Sequence, residues 1–286
     1  MIKEHGTAVV VTYNRVDKLK TCLNCLLEQT YELSTIYVVN NASTDNTETF
    51  LKEFSKTHTQ IKTMTTTENL GGSGGFFLAI KWAYEDGADW IWGMDDDAFP
   101  KYNALEEIIK HRELLDQNGT VSCYWSNCNH DQFFRENYKK VDAWMFVGFF
   151  LPREIIKTVG YCRNDYFIYF DDYEYANRII NNGYNIYKIQ SSIIDHKDAP
   201  SDNKILRFGP FTITITLLPP ENWKVYYLIR NGILAYKDNK SKKWKRIWAG
   251  IRHLIKSILW KPAQVKYVWM GLNDGIKGKT GKRIIP

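Results

Sequence analysis

The chain has 286 residues, and its hydrophobic and charged fractions, 44% and 24%, are those of a folded globular protein and exclude a disordered one. No window approaches the roughly 18 apolar residues of a membrane-spanning helix, and the amino terminus lacks the apolar region of a signal peptide, so we expect a cytoplasmic protein. The net charge of +6 is unevenly distributed, because residues 237–286 contain 14 Lys and Arg against 2 Asp and Glu. The remaining residues are therefore acidic, with a net charge near −6.

The chain up to about residue 100 alternates between strand and helix patterns. Continuous β-branched and apolar runs predict strands that are buried on both faces, and apolar spacings of three and four predict helices. Ser43 is the expected N-cap of the helix after the second strand. The predicted strands cover residues 7–12, 35–39, 61–67 and 88–92, and the helices cover 16–29, the residues after Ser43, and 76–85. This alternation predicts a largely parallel sheet with helices on both faces.

The order changes after Pro100. Residues 121–125 and 143–151 predict strands without regular intervening helices, and residues 173–181 predict a helix that ends at Asn182-Gly183. We therefore expect one α/β domain over residues 1–220, whose two halves divide near residue 100. The remaining residues, 221–286, are expected to form a separate helical region.

Three consecutive carboxylates, Asp95-Asp96-Asp97, follow the apolar run at 88–92. A buried strand that ends in clustered Asp presents oxygen ligands at the carboxyl edge of a sheet, where open α/β folds bind ligands. Such ligands suit Mg²⁺ or Mn²⁺, which can hold a diphosphate and neutralise its charge. A solvated acidic turn is the alternative if these residues are taken alone.

Polar loops follow the first two predicted strands as well. Thr12-Tyr13-Asn14-Arg15 and Asn40-Asn41-Ala42-Ser43 should meet the Asp triplet at one edge of a parallel sheet. Individually these residues are ordinary turn formers. Together they predict a nucleotide pocket, in which polar groups hydrogen-bond a uracil or thymine base and a ribose above a metal ion.

A glycine-rich segment precedes the helix predicted at 76–85. Asn69-Leu70 leads into Gly71-Gly72-Ser73-Gly74-Gly75, which lets the backbone approach a ligand closely and turn into a helix whose N-terminus favours anions. It is neither a P-loop nor a dinucleotide-binding fingerprint, because the required Lys-Ser/Thr and glycine spacing are missing.

Asp171-Asp172 follows five aromatic or apolar residues and stands at a predicted helix start. A partly desolvated carboxylate there is a candidate general base toward a hydroxyl group, although N-capping also explains one Asp. The sequence does not decide which of the two points inward. His196 ends the run Ile193-Ile194-Asp195-His196, where it is a candidate nitrogen ligand for the metal, although a lone His is usually structural.

These motifs, in this order, resemble the inverting family 2 glycosyltransferases of GT-A fold. Within that family, the segment from Asn69 to Phe76, the segment from Met94 to Asp97, and His196 are most similar to the galactofuranosyltransferases, with the rhamnosyltransferases close to them. The resemblance covers roughly residues 7–198, with a weaker match at 226–231. It implies a GT-A, Rossmann-like catalytic domain whose nucleotide half is 1–100 and whose acceptor half is 101–220.

The resemblance also implies roles for individual residues. Asp172 becomes the catalytic base, with Asp171 as a near-equal candidate. Asp95, Asp97 and His196 become the ligands of Mn²⁺ or Mg²⁺. The residues implied to bind the nucleotide-sugar donor are Thr12, Arg15, Asn41, Asn69, Gly71, Gly72 and Asp96.

The basic tail contains an amphipathic pattern. Apolar residues from Trp244 to Leu259 fall at spacings of three and four, and Lys and Arg occupy the other positions. This pattern is typical of an interfacial helix on anionic lipid, and a helix that packs its stripe on its own domain is the alternative. We therefore expect peripheral association with the inner face of the cell membrane.

The sequence as a whole predicts an inverting, metal-dependent enzyme that moves galactofuranose from UDP-galactofuranose onto a lipid-linked glycan acceptor of a surface polysaccharide. A rhamnosyltransferase that uses dTDP-rhamnose is the alternative within the family. A non-catalytic protein that binds nucleic acid or an anionic surface is the alternative outside it, and it would leave the carboxylate motifs without a role.

Overall fold

The computed structural model describes residues 4–128, 134–196, 203–208, 211–216 and 218–285. The chain divides into two compact units, which are treated separately below. The first comprises Met1–Asn164 and Asp172–Lys197, and the second comprises Asp165–Asp171 and Asp198–Pro286. The boundary predicted near residue 220 therefore falls within the second unit, which also includes the short segment before Asp172.

Helices and strands alternate in the first unit as far as residue 95 and are less regularly ordered after it, and helices predominate in the second unit. The strands are β1 Gly6–Thr12, β2 Thr35–Asn40, β3 Ile61–Thr65, β4 Trp90–Asp95, β5 Phe99–Pro100, β6 Cys123–Asn127, β7 Tyr138–Lys140, β8 Phe149–Pro152, β9 Ile186–Asp195, β10 Asn203–Phe208 and β11 Phe211–Thr216. The helices are α1 Val16–Leu27, α2 Thr47–Thr57, α3 Gly71–Glu85, α4 Ala104–Leu115, α5 Arg153–Val159, α6 Asp171–Asn181, α7 Asn222–Leu234, α8 Lys240–Trp260 and α9 Pro262–Ile276. No helix in these described ranges is both long and apolar enough to cross a bilayer.

The main sheet has the strand order β3-β2-β1-β4-β8-β6-β9-β5, with β7 paired to β9. Its first four strands are parallel to one another, whereas β8 runs antiparallel to β4 and β6. The connection from β3 to β4 returns to the other side of β1, so the strand order reverses between β1 and β4. Ligands bind in the crevice at the carboxyl edge beside such a switch point. The register pairs Val11 with Asp95 and Thr12 with Asn40, which brings the three predicted loops to this edge.

The core of the first unit lies on both faces of this sheet, because successive strand residues point to opposite faces. Ala8 and Val10 pack with α1, α2 and α4 in one cluster. Val9 and Val11 pack with α3, α5 and α6 in the other. The continuous apolar runs of the sequence are thus explained by helices on both sides, and the predicted α/β class is confirmed.

Several predicted boundaries differ from the structure. Ser43 is not an N-cap, because α2 begins only at Thr47, where Asp45 accepts the backbone N–H and the hydroxyl of Thr47. The helix predicted from residue 76 begins at Gly71, and the strand predicted at 143–151 is confined to β8. The predicted end of α6 is confirmed, since Gly183 follows it with a φ of 87°.

The second unit has its own apolar core, formed by α7, α8 and α9. Val225, Ile233, Ile247 and Leu272 are buried there. Asn239 caps α8 by accepting the backbone N–H of Lys242. β10 and β11 form a separate antiparallel hairpin.

Candidate active site

Three potential metal ligands meet at the carboxyl edge of the main sheet. Asp95 ends β4, Asp97 follows it by two residues, and His196 comes directly after β9. One ligand atom from each of the three lies within 4.8 Å of the others. Two carboxylate oxygens and an imidazole nitrogen are donors that Mn²⁺ accepts, and carboxylates also suit Mg²⁺. The predicted ligand set is therefore brought together by strands that are far apart in sequence.

Asp96 points instead to the loop after β1. Its carboxylate accepts hydrogen bonds from the Thr12 hydroxyl at 2.7 Å and from the Tyr13 backbone N–H at 3.4 Å. Arg15 lies 3.3 Å from its other oxygen. Burial raises the pKa of Asp96 above its usual value, despite the opposing effects of Thr12 and Arg15. Asp96 thus joins β4 to the β1 loop.

Asp97 is surrounded by nitrogen groups. Arg15 Nη1 lies 2.6 Å from Oδ2, His196 Nε2 lies 3.1 Å from Oδ1, and Lys18 Nζ lies 3.8 Å from Oδ2. Burial raises the pKa of Asp97, but the hydrogen bond with His196 and the charge of Arg15 lower it by more. The pKa of Asp97 therefore lies below its usual value. This carboxylate is consequently held in its ionised form, as a metal ligand must be.

The loops after β1 and β2 are joined to each other. Asn14 Oδ1 accepts the backbone N–H of Thr44 at 2.7 Å, and the Ser43 hydroxyl accepts the backbone N–H of Asn14 at 2.9 Å. Asn14 and Ala42 both have positive φ, at 55° and 58°. Asn tolerates this region but Ala rarely adopts it, so the pairing of the two loops holds a tight turn above the sheet edge.

Asn41 and Asn69 organise the glycine-rich segment. Asn41 Nδ2 donates to Asn69 Oδ1 and to the Gly71 carbonyl, and Asn41 Oδ1 accepts the Leu70 backbone N–H at 2.9 Å. Asn69 Oδ1 in turn accepts the Gly71 backbone N–H at 2.8 Å. The two amides therefore fix the point where α3 begins.

Glycines allow α3 to begin early and to pack closely. Gly71 has a φ of 71°, and a Cβ at Gly75 would lie 2.5 Å from the Val11 side chain on β1. A Cβ at Gly72 would meet no atom within 4 Å, so this position faces open space. The backbone of the first turn of α3 can accordingly be approached by a ligand at Gly72.

The adjacent carboxylates Asp171 and Asp172 lie at the start of α6. Asp171 is buried, with 7% of its surface exposed, whereas Asp172 is partly exposed. Desolvation of the Asp172 carboxylate raises its pKa to about 6, although the backbone N–H of Tyr173 donates to it at 2.7 Å. A carboxylate with this pKa is ionised at neutral pH and is a stronger base than an ordinary Asp.

The predicted residues thus form two groups of direct contacts. One contains Thr12, Arg15, Asp96, Asp97 and His196, and the other contains Asn41, Asn69 and Gly71. Sequence reasoning missed Lys18, which lies one helical turn after Arg15 and approaches the same carboxylate. The spacing of three between the two cations was the available signal, because such residues share a helix face.

A match to a protein family agrees with this geometry. Residues 7–177 match the family described as Glycosyl transferase family 2, and the chain therefore belongs to this family. The alternative of a non-catalytic binding protein is accordingly not supported.

Individual relatives share parts of the chain. The galactofuranosyltransferase GlfT1 of Mycolicibacterium smegmatis is 37% identical over 93 residues, which are 32% of this chain and 30% of GlfT1. The chain thus matches under a third of the length of this relative. Glycosyltransferase AglE of Haloferax volcanii is 22% identical over 230 residues, 74% of each chain.

Solved structures share the fold. The mannosyltransferase PcManGT of Pyrobaculum calidifontis, determined in complex with GDP-Man and Mn²⁺, superposes with a TM-score of 0.61 at 16% identity, over 97% of this chain and 89% of its own. TarS of S. aureus, in complex with UDP, superposes with a TM-score of 0.57 at 14% identity, over 85% of this chain and 68% of its own. The predicted GT-A fold is confirmed by these structures.

Proposed function

We propose that the protein is an inverting glycosyltransferase that uses a nucleotide-diphosphate sugar and a divalent cation. The observation that carries the proposal is the convergence of Asp95, Asp97 and His196 at the switch point between β1 and β4. This is the position at which an open α/β sheet binds nucleotides. Mn²⁺ in the PcManGT complex supports the same ion here, with Mg²⁺ as the alternative.

The metal ligands fit this role in charge and burial. Asp97 is kept ionised by Arg15 and His196, and the side chain of His196 is 11% exposed. Asp95, Asp97 and His196 would hold a divalent cation, which would neutralise the charge that develops on the nucleotide diphosphate as it leaves. Arg15, whose side chain is 49% exposed, can move from Asp97 to the diphosphate once another cation balances that carboxylate.

The other residues predicted to bind the nucleotide sugar act mainly by shaping its pocket. Thr12 and Asp96 join the loop after β1 to the end of β4, and this pair sets the floor of the nucleotide site. The side-chain amides of Asn41 and Asn69 hydrogen-bond to each other and to the backbone at the start of the glycine-rich segment. We therefore assign them the task of shaping the donor pocket, with Gly72 as the point of close approach.

Asp172 is the proposed base. It takes the proton of the acceptor hydroxyl, whose oxygen attacks the anomeric carbon as the bond from that carbon to the diphosphate oxygen breaks. A single displacement inverts the anomeric configuration. Asp172 is preferred to Asp171 because it is the more exposed of the two and because its pKa is raised to about 6.

The donor sugar we propose is galactofuranose, carried by UDP. The shared segment with GlfT1 supports this choice over rhamnose carried by dTDP. The acceptor we propose is a lipid-linked glycan of a surface polysaccharide. Such an acceptor requires the enzyme to work at a membrane surface.

The exposed face of the C-terminal helices supports attachment to the inner face of the cell membrane. The apolar stripe of α8 is divided, because Ile247 is buried and Ile251 and Leu254 pack on the core of their own unit. The side of α8 and α9 that stays exposed is rich in Trp and surrounded by Lys, which suits the headgroup region of anionic lipid. Its large apolar residues, each at least 55% exposed, are Trp244, Trp248, Ile255, Ile258, Leu259, Trp260 and Trp269.

A transfer assay tests the proposed donor and metal. Candidate donors, UDP-galactofuranose and dTDP-rhamnose among them, are incubated with a lipid-linked glycan, with Mn²⁺ or with excess EDTA. We expect transfer from UDP-galactofuranose that EDTA abolishes. Transfer from dTDP-rhamnose alone identifies the rhamnosyltransferase, and transfer that survives complete metal removal contradicts the metal assignment.

Liposome co-sedimentation tests the attachment. Binding should require anionic lipid, weaken with salt, and fall when Lys243, Lys245 and Lys256 are changed to Glu. Arg246 is kept, because its guanidinium lies 4.9 Å from the Phe170 ring centroid and supports the fold. The matched control changes three lysines of α1 and α2, Lys20, Lys52 and Lys56, and should bind like the unmodified protein. Equal loss in both triple variants, or no binding at all, contradicts the attachment.

A further inference from the structure

The segment Asp165–Asp171, which directly precedes Asp172 in the chain, has an unusual backbone. Phe167, Tyr169 and Phe170 have φ values of 69°, 68° and 64°. Bulky residues rarely adopt this left-handed region, and a segment that contains three of them persists only where its surroundings hold it in place. The second unit supplies such surroundings.

Asn231 of α7 holds the middle of this segment. Its side chain is fully buried. Asn231 Nδ2 donates to the carbonyl oxygens of Tyr166, Ile168 and Tyr169, at 2.9, 2.7 and 3.1 Å. The left-handed residues prevent this backbone from forming the regular hydrogen bonds of a helix or a strand. The Asn231 amide group hydrogen-bonds three of its carbonyl oxygens instead.

Arg230 holds Asn231 and the start of the segment. It is fully buried, Arg230 Nε donates to Asn231 Oδ1 at 2.7 Å, and Nη2 donates to the Tyr166 carbonyl at 2.9 Å. Nη1 donates to the carbonyl of Gly281 at 2.6 Å. The hydrogen bonds of Arg230 within the described part of the chain all go to neutral oxygens. Burying the Arg230 charge in this way costs desolvation energy. A role in positioning the segment explains why the residue is nevertheless present.

The segment's side chains are held as well. The Phe167 ring centroid lies 5.0 Å from that of Tyr227 on α7. Phe170 lies against Gly232, where a Cβ would approach its ring to 3.2 Å, and under the guanidinium of Arg246. Both the backbone and the side chains of the segment are therefore fixed by α7 and α8.

We propose that Arg230 and Asn231 are positioning residues of the transfer reaction: they hold Asp165–Asp171 so that the carboxylate of Asp172, the next residue, is presented to the acceptor hydroxyl. The proposal rests on Asp172 being the base. A displacement of about 1 Å at a catalytic group can cost about 10²-fold in rate. Loss of the Asn231 amide should therefore lower kcat by about 10- to 100-fold, and leave the KM for the donor nearly unchanged.

The test combines hydrogen exchange with kinetics on the full chain. Asn231→Ala removes both the donor and the acceptor of the side chain. Asn231→Asp keeps the shape and the oxygen that Arg230 contacts, so it should fold even if Asn231→Ala does not. The matched control is Gln264→Leu. Gln264 is a buried residue of the same unit, and its amide donates to the Pro219 carbonyl at 3.0 Å.

Both Asn231 variants should speed amide exchange in peptides that cover 165–171 and lower kcat, while Gln264→Leu should do neither at equal loss of stability. If amide exchange of residues 165–171 is unchanged in the Asn231 variants, the proposal is overturned, and this measurement needs no substrate. Faster exchange with unchanged kcat also overturns it, provided that Asp172→Asn is inactive. If Asp172→Asn keeps full turnover as well, the proposed base is wrong, and the positioning proposal fails with it.

Discussion

The carboxylates of Asp97 and Asp172 lie in opposite electrostatic surroundings. Asp97 is buried among Arg15, Lys18 and His196, and its pKa lies below the usual value. Asp172 is desolvated, and backbone N–H groups alone oppose the rise of its pKa to about 6. The first environment suits a permanent anion that binds a cation, and the second suits a group that takes up a proton. The difference in surroundings therefore separates the two tasks of the proposed reaction.

The largest effect is expected at the acidic cluster. Asp97→Ala should lower kcat/KM by more than about 10³-fold, because charge stabilisation by a metal is worth several kcal/mol. Mn²⁺-dependent turnover of the purified variant provides the measurement. Asp17→Ala serves as the control, since this α1 carboxylate is 91% exposed and should leave activity unchanged. Turnover by Asp97→Ala at the unmodified rate contradicts its role as a ligand.

The next effect is expected at the base. Asp172→Asn should fold and bind the donor normally but lose roughly 10²-fold or more in kcat, the usual size of a general-base contribution. Steady-state kinetics of Asp172→Asn and Asp171→Asn, made in parallel, provide the comparison. Loss of turnover in Asp171→Asn alone moves the base to the preceding residue.

The pH profile sharpens the contrast between the two sites. Asp172 must be ionised to act as a base, so kcat should fall about tenfold per pH unit below about 6. Its raised pKa also means that the native state holds this proton more tightly than the unfolded state. The resulting stabilisation is complete below the pKa of an unfolded Asp and is lost as pH rises through about 6. Denaturant unfolding should accordingly show Asp172→Asn gaining stability, relative to the unmodified protein, as pH rises from about 4 to about 6, with no further gain well above pH 6.

The smallest effect is expected at Gly232. Gly232→Ala should lower kcat by a few-fold, because its Cβ must displace the Phe170 ring by a few tenths of an ångström. Helix propensity offsets part of the cost, since Ala is favoured over Gly in a helix by up to about 1 kcal/mol. Thermal unfolding and kcat, measured on one sample, separate the two effects. A variant with unchanged kcat indicates that the segment before Asp172 tolerates movement of its aromatic side chains.

The strands and loops of the nucleotide half could be predicted from the sequence because their signals are local. Continuous apolar runs identified β1, β2 and β4, and the polar residues after them lie at one sheet edge, as expected for parallel strands. The start of α3 could not be predicted, because glycine is a poor helix former. The close contact of Gly75 with Val11 makes glycine suitable there, and this contact depends on the tertiary structure.

Long-range contacts explain the other differences. The sequence periodicity predicts a single apolar stripe on α8. It does not show that α7 and α9 bury one side of this stripe, with Ile247, and leave the other side, with Trp248, exposed. The hydrogen bonds of Asn231 join residues more than 60 positions apart, and no local pattern announces them. The sequence resemblance at 226–231 marked the place without indicating what these residues do.

Binding of UDP to three proteins tests the separation of tasks most directly. Calorimetric titration with and without Mn²⁺ compares the unmodified chain, Asp97→Ala and Asp172→Asn. We expect Mn²⁺ to strengthen UDP binding equally in the unmodified chain and in Asp172→Asn, and to have no effect in Asp97→Ala. Loss of the Mn²⁺ effect in Asp172→Asn, or its retention in Asp97→Ala, would contradict the assignment of one carboxylate site to the metal and the other to the proton.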